Sequence, residues 1–213
     1  QGVHALYSDT LNIHREVIGC LTAAPIPLME EDIRPVDRYL MERFIFGGVE
    51  VQHIADKGAR LQPADVAPQI SVLSIDLETN MRGDRIHSIG LHGERNDGSA
   101  LNLVLMRGLV EGAEIPYDSP LAMKLGAVKC YPDERALLRA FIREVAAFDP
   151  DIFIGWNVVG FDFRVLAARA EKLHIPLKLG RDNQPLKVIQ SERGKWYVRL
   201  EGRLVIDGID TLK

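Results

Sequence analysis

Two carboxylates stand two positions apart inside a short apolar segment, a spacing that could hold divalent cations. The segment, residues 71–79, reads Ser-Val-Leu-Ser-Ile-Asp-Leu-Glu-Thr, and its acids are Asp76 and Glu78. Side chains at i and i+2 of a β-strand leave the same face, so the intervening Leu77 would point into the core. Two acids this close repel each other unless cations lie between them, and ligands that are all oxygen suit Mg²⁺ or Mn²⁺. Ordinary surface acids are the alternative interpretation.

A second polar cluster, residues 155–162, reads Gly-Trp-Asn-Val-Val-Gly-Phe-Asp and joins a predicted buried strand to a predicted helix. An acid at such a junction can meet acids on an adjacent strand, so Asp162 is a candidate partner of the first pair. Alternatively, Asp162 caps the helix. Phe161 offers a ring on which a nucleobase can stack, or else it belongs to the core. Asn157 is a further candidate, or simply a turn residue.

The elements that must position these acids are strands and helices in mixed order. Alternation of apolar and polar residues predicts three neighbouring antiparallel strands, and helical spacing predicts a helix over 134–148, capped by Asp133, and another that begins at Asp162. The strands are predicted at about 70–78, 86–92, 101–107, 151–156, 186–190, 196–200 and 203–207. This indicates an α/β fold, a mixed sheet flanked by helices, which is the order of the ribonuclease-H-like nucleases.

Residues 1–67 differ from the rest, because prolines break them into short pieces. One helix is predicted there, beginning at Pro35, whose fixed φ and missing N–H suit the first helical position. Residues 62–69 have the composition of a connector. The predicted organisation is therefore two domains, residues 1–67 and 68–213.

Composition narrows the class of protein further. The net charge of -4 gives no general argument for nucleic-acid binding, but residues 163–203 carry ten Lys and Arg against four Asp and Glu. That segment is either a solvated surface or a phosphate-facing flank. No apolar run is long enough to span a membrane, and no signal peptide is recognisable. Cys20 and Cys130 lack metal-like spacing, so a reducing cytoplasmic setting is predicted.

The two clusters resemble motifs of the proofreading exonuclease domains of DNA polymerases. Asp76-Leu77-Glu78-Thr79 is similar to the first exonuclease motif, Asp-x-Glu, and Asn157-x-x-x-Phe161-Asp162 is similar to the second. The resemblance covers about residues 30 to 213, and the local strings that carry it are Arg38–Phe44, Asp149–Asn157 and Gly202–Gly208. By these strings the chain is identified as a member of the family B DNA polymerases, of the bacterial polymerase II type.

The resemblance implies a ribonuclease-H-like 3'→5' exonuclease domain over 68–213, incomplete at its C-terminal side, preceded by part of a polymerase N-terminal domain. Carried over residue by residue, it implies that Asp76, Glu78 and Asp162 hold two Mg²⁺ or Mn²⁺ ions, with Asp76 bridging both. The residues implied to contact the 3'-terminal nucleotides are Thr79, Asn157 and Phe161. The reaction would be hydrolysis of the last phosphodiester.

The same resemblance implies the setting of the reaction. Its substrate would be the 3' end of single-stranded DNA, and the parent polymerase would bind primer–template DNA and a sliding clamp during replication and repair. The expected location is the bacterial cytoplasm, at the nucleoid, without a membrane.

The sequence also departs from the family. The third exonuclease motif, Tyr-x-x-x-Asp, does not follow Asp162; Tyr197 precedes Glu201 by four positions, but on predicted strands. Asp207 and Asp210 are not favoured as metal ligands. The expectation is therefore a fragment of a polymerase that hydrolyses DNA weakly or not at all by itself. The alternatives are a free-standing exonuclease of the same fold and a catalytically silent nucleic-acid-binding domain.

Overall fold

The structure is a computed structural model that describes residues 4–24, 26–56, 58–95, 97–108 and 127–212. It divides into two compact units, residues 1–68 and 69–213. The assignment of the first unit to a polymerase N-terminal domain stays a prediction. Within the described ranges, no helix is both long enough and apolar enough to cross a membrane.

The first unit contains two helices and a hairpin in its described residues. The helices are α1 (Leu11–Ala23) and α2 (Pro35–Met41), and the hairpin pairs β1 (Val49–Ile54) with β2 (Gly58–Pro63). The predicted start of a helix at Pro35 is confirmed. The sequence does not predict α1, which is capped at its start by the hydroxyl of Thr10.

The second unit is built, in its described residues, on a six-stranded mixed sheet. The strands of the unit are β3 (Val72–Thr79), β4 (Ile86–Glu94), β5 (Ala100–Arg107), β6 (Ala127–Tyr131), β7 (Ile152–Gly155), β8 (Lys187–Gln190), β9 (Trp196–Arg199) and β10 (Leu204–Asp207). The order across the sheet is β10-β7-β3-β4-β5-β6, and β8 and β9 form a separate hairpin. The strands β3, β4 and β5 are antiparallel neighbours, as predicted. Parallel pairing of β6 with β5, and of β7 with β3 and β10, makes the sheet mixed.

The two longer helices of the second unit lie where they are predicted, apart from the start of the second, and a short unpredicted helix follows them. The helix α3 (Glu134–Phe148) has the predicted bounds, and Asp133 caps it by accepting the N–H of Ala136 at 2.7 Å. The helix α4 (Phe163–Lys172) begins one residue later than predicted, because a single π-helical turn, Val158–Asp162, precedes it. The short α5 (Gly208–Thr211) follows β10 directly.

One hydrophobic core joins the sheet to these helices. Alternate residues of β3 enter it, and the residues that α3 and α4 contribute include Leu137, Leu138, Phe141, Phe163 and Leu166. The rings of Phe153 and Phe163 meet edge to face at a centroid distance of 5.6 Å. This contact packs β7 against the first residue of α4, so the core fixes both ends of the segment that carries Asp162.

A buried ion pair adds a polar link between α3, α4 and β4. Arg169 donates two hydrogen bonds to Glu134, at 2.7 Å from Nε and 2.6 Å from the second guanidinium nitrogen. The backbone N–H of Ile86 donates a third at 3.1 Å. Burial by itself would raise the pKa of Glu134, but the bonds from Arg169 and Ile86 outweigh it and hold this pKa below its ordinary value.

Replacing Arg169 by Met should lower the free energy of unfolding by about 3–5 kcal/mol at pH 7, because a buried carboxylate is left without its cation. The pKa of Glu134 lies below its unfolded value of about 4.3, so its contribution is present above that pH and is lost as the pH falls further. The deficit should therefore be smaller near pH 3. Urea unfolding at both pH values measures it.

The matched control is Arg199→Met, which breaks the exposed pair between Arg199 and Glu201. That change should cost less than about 1 kcal/mol, because exposed ion pairs contribute little. Equal losses for the two variants would show that the buried pair has no special role in stability.

Candidate active site

The strand β3 presents Asp76 and Glu78 on its solvent-exposed side. Along the strand, burial alternates: both acids are exposed, whereas Ile75 and Leu77 are buried. This is the predicted alternation, and it has the predicted cause, since apolar side chains occupy the face that packs on the core. The two carboxylates therefore share one face at the end of the strand.

The neighbouring strand β7 is too short to cover the whole of β3. It pairs with residues 72–74 and ends at Gly155. A Cβ at Gly155 would lie 2.8 Å from the carbonyl oxygen of Ile75, so only glycine lets the chain turn away this close to β3. Beyond that point, the backbone of β3 needs another hydrogen-bonding partner on this side.

Asp162 supplies that partner. Its Oδ1 accepts the backbone N–H of Leu77 at 3.0 Å, and Leu77 lies between Asp76 and Glu78 in the strand. Asp162 is 2% exposed. It occupies the N-cap position of α4 without any capping hydrogen bond from its side chain, so the interpretation of Asp162 as a helix cap is wrong. The carboxylate instead continues the pairing of β3 where β7 ends.

The electrostatics of Asp162 follow from this position. Burial raises its pKa, the hydrogen bond from Leu77 opposes the rise, and the charges of Asp76 and Asp207 add to it, with a resulting pKa of about 6. A carboxyl group held beside two others is an unfavourable arrangement unless protons or cations neutralise it. Its chemistry suits a hard divalent cation.

The turn before Asp162 has an unusual backbone. Asn157 has a left-handed conformation with φ of 57°, and its carbonyl accepts the N–H of Phe161 at 2.8 Å. Its side-chain oxygen would be 2.3 Å from a Cβ at Gly160, so the amide lies directly over that glycine. The turn interpretation of Asn157 thus holds for its backbone, while its exposed amide makes no capping bond.

The other two predicted nucleotide contacts are sequence neighbours of the acids: Thr79 follows Glu78, and Phe161 precedes Asp162. Phe161 is 37% exposed, in contrast to the fully buried Phe163, so the interpretation of Phe161 as a core residue is wrong. Thr79 is half-buried at the end of β3, and its hydroxyl donates to the carbonyl of Asn80 at 3.0 Å. An exposed ring and polar groups beside carboxylates suit contacts with a nucleotide.

Asp207 is the residue that sequence reasoning undervalued. It ends β10, is 8% exposed, and accepts the N–H of Val159 and that of Ile209, both at 2.9 Å. The strand β10 runs parallel to β7, so the acid at its end lies at the same edge of the sheet as Gly155. Asp210, by contrast, is exposed and pairs with Lys195 at 3.0 Å.

The predicted ligand set is only partly assembled. Asp76 and Asp162 are close enough to influence each other electrostatically. Among the described residues, however, no group of three His, Cys, Asp or Glu side chains is arranged to hold one ion. The structure thus brings Asp162 into the electrostatic neighbourhood of Asp76, and the role of Asp76, Glu78 and Asp162 as metal ligands stays a prediction.

Much of the basic character of residues 163–203 is used inside the fold. The basic residues of this segment that pair with carboxylates are Arg169, Arg181, Lys195, Arg199 and Arg203. Arg164 stacks on the ring of Trp196 at 4.1 Å. Half of the ten positive charges are thus already paired with carboxylates of the fold, which weakens the interpretation of the whole segment as a phosphate-facing flank.

Comparison with known proteins identifies the family. Residues 29–213 match the family described as "DNA polymerase family B, exonuclease domain". The chain belongs to this family. Over the full length of this chain, it is 37% identical to DNA polymerase II of Escherichia coli. Over 97% of this chain, it is 38% identical to the DNA polymerase of Archaeoglobus fulgidus. The predicted resemblance to family B polymerases is confirmed.

A family B DNA polymerase from Pyrobaculum calidifontis shares the fold. It aligns with 91% of this chain at a TM-score of 0.57 and 23% identity. The predicted mixed α/β fold of the family B exonuclease domain is confirmed. The chain spans about a quarter of the length of these two relatives, with 26% of the Escherichia coli protein and 24% of the Archaeoglobus fulgidus protein covered. Exonuclease domains of this family generally depend on divalent metal ions.

Asp162→Asn should stabilise the fold in the presence of a chelator above about pH 6. The folded pKa of Asp162, about 6, exceeds the unfolded value, so its ionisation lowers stability progressively as the pH rises from about 4 to 6. An amide keeps an oxygen for the N–H of Leu77 but carries no charge. The expected gain is about 2 kcal/mol at pH 8 and close to none at pH 4, measured by urea unfolding.

Asp210→Asn is the control, because it removes an exposed acid near the same edge of the sheet. It should change stability by less than about 1 kcal/mol at either pH. If Asp162→Asn were no more stable than the unaltered chain at pH 8, the carboxylate would not be destabilised by its surroundings.

Proposed function

We propose that this chain contributes the proofreading site of a family B DNA polymerase and removes nucleotides from the 3' end of single-stranded DNA by two-ion hydrolysis. The observation that supports it most is the 3.0 Å hydrogen bond from Leu77 to Asp162. It joins the second acidic motif to the strand that carries Asp76 and Glu78. Acids from two separate motifs thus meet at one end of the sheet, on a fold of the matching family.

In the proposed reaction, Asp76, Glu78 and Asp162 would hold Mg²⁺ or Mn²⁺. When bound, the cations lower the pKa of the attacking water and neutralise charge on the leaving 3'-oxygen. The protein contributes rigidity: Asp162 is anchored by the backbone N–H of Leu77, and the two acids of β3 lie on a stretch of strand that pairs with β4. Such preorganisation reduces the rearrangement needed to reach the transition state.

The nucleotides would be held by the groups around these acids. The exposed face of Phe161 would stack on a terminal base, a contact of about 1–3 kcal/mol per base in single-strand binders. The amide of Asn157 and the hydroxyl of Thr79 would hydrogen-bond to the sugar–phosphate backbone or to base edges. These contacts would orient the last phosphodiester for in-line attack.

The proposal also covers the longer protein. The parent would be a DNA-directed DNA polymerase that acts in replication and repair on primer–template DNA, with a sliding clamp as partner, in the bacterial cytoplasm at the nucleoid. Residues 1–67 would form part of its N-terminal domain, and residues 68–213 its exonuclease domain. Hydrolysis by this chain alone would be slow, because its described residues contain no three-ligand group for one ion.

The lack of a three-ligand group among the described residues favours a second candidate, a nucleic-acid-binding domain that keeps the fold without catalysis. An incomplete ligand group could leave binding of DNA ends intact while hydrolysis is lost. Binding that is independent of divalent cations would support this candidate, whereas cation-dependent release of mononucleotides would support the first.

Degradation of 5'-labelled single-stranded DNA should require Mg²⁺ or Mn²⁺ and should stop when a chelator is added. Asp76→Asn and Asp162→Asn should each lower the rate by more than about 100-fold, because loss of a direct ligand exceeds the 10–100-fold effect typical of its hydrogen-bonding partners. Gel analysis of the shortened products gives the rates and the direction of attack.

Glu94→Gln is a suitable control, since Glu94 is an exposed acid on the strand next to β3, opposite Val72 and far from Glu78 in register. It should keep the unaltered rate. Degradation that survives chelation, or that is equally fast in Asp162→Asn, would contradict the proposed function. The full-length polymerase should be faster than this chain.

A further inference from the structure

Asp207 joins two segments that meet at the edge of the sheet. In the parallel pairing of β10 with β7, Asp207 lies opposite Gly155, the last residue of β7. One carboxylate oxygen accepts the N–H of Ile209 and so caps α5, while the other accepts the N–H of Val159 in the π-helical turn. A single buried side chain thus ties β10 and α5 to the turn.

The π-helical turn needs such an external partner. The first N–H groups of any helix lack partners within it, and a buried N–H left without one destabilises the fold. Val159 is the second residue of a turn that starts from the left-handed Asn157, which provides no side-chain cap. Asp207 provides the acceptor for this N–H from a strand 48 positions further along the chain.

The last residue of the same turn is Asp162, so the two carboxylates are mechanically connected. Asp207 holds the second residue of the turn, and Asp162, three residues later, reaches β3. Rotation of the turn would move the Asp162 carboxylate away from Leu77. A second buried acid in such a place adds negative charge beside Asp162, which a role in packing alone does not require.

We propose that Asp207 is a positioning residue for the exonuclease reaction: by holding the N–H of Val159, it fixes the turn that aims Asp162 at the strand bearing Asp76 and Glu78. This inference rests on the proposed function. It assigns no metal contact to Asp207, because both of its oxygens already accept backbone hydrogen bonds. The nearby Asp210 has no such role, since it is exposed and paired with Lys195.

The test uses Asp207→Ser, because serine can still cap α5 through Ile209 but has no second oxygen for Val159. Exchange of the Val159 amide hydrogen, followed by NMR, should accelerate at least about tenfold when its acceptor is lost. The affinity for Mn²⁺, measured by calorimetry, should weaken by about tenfold or more, as for other residues that orient metal ligands, with the number of bound ions unchanged. Hydrolysis at saturating Mn²⁺ should fall less than the affinity.

Asp210→Asn is the matched control and should leave amide exchange, Mn²⁺ affinity and hydrolysis within about twofold of the unaltered chain. If Asp207→Ser does not fold by circular dichroism, Asp207→Asn replaces it, since an amide can accept only one of the two hydrogen bonds. The same three measurements then apply to it.

The outcomes separate the possible errors. Unchanged Mn²⁺ affinity in the Asp207 variant overturns the positioning role, and so does a drop in the number of bound ions with a protected Val159 amide, which would make Asp207 a direct ligand. An unaltered chain that neither binds Mn²⁺ nor degrades DNA overturns the proposed function and this inference together. An unaltered chain that does both, matched by its Asp207 variant, overturns only the inference.

Discussion

The site depends on one hydrogen bond, between the backbone N–H of Leu77 and Oδ1 of Asp162. Where β7 ends, the exposed edge of β3 must find an acceptor, and a buried side chain provides it. The same bond holds Asp162 beside β3 in a buried position, and this burial, together with the charges of Asp76 and Asp207, raises the pKa of Asp162 to about 6. The hydrogen bond that pairs the backbone of Leu77 therefore also holds Asp162 beside the strand that carries the other acids.

The second unit distributes its charges in two different ways. The bidentate pair of Arg169 and Glu134 is neutralised inside the protein and joins helices to the sheet. Asp162 and Asp207, in contrast, accept their described hydrogen bonds from backbone N–H groups and not from basic side chains. Carboxylates that are held by backbone groups at the edge of the sheet can still attract a cation, which is the condition that a cation-binding site needs.

The fold was largely predictable where the signal is local. The apolar stripe and the cap at Asp133 define α3 to the residue, and alternation in β3 predicts which side carries Asp76. The hydrogen bond from Leu77 to Asp162 was not predictable, because an acid before a helix is normally a cap. Only the early end of β7 leaves the N–H of Leu77 free for this carboxylate. Asp207 escaped for a related reason: its partner Val159 lies 48 positions away, and no local pattern records so distant a contact.

The glycine that ends β7 has a consequence for how this region can vary. A methyl group at Gly155 would meet the carbonyl of Ile75 at 2.8 Å and the side chain of Val158 at 3.0 Å, and both are held in place by the core. The structure of this edge thus requires that residue 155 has no Cβ. Any side chain at Gly155 would therefore displace the backbone of β3 or the turn after β7, and with it the alignment of Leu77 with Asp162.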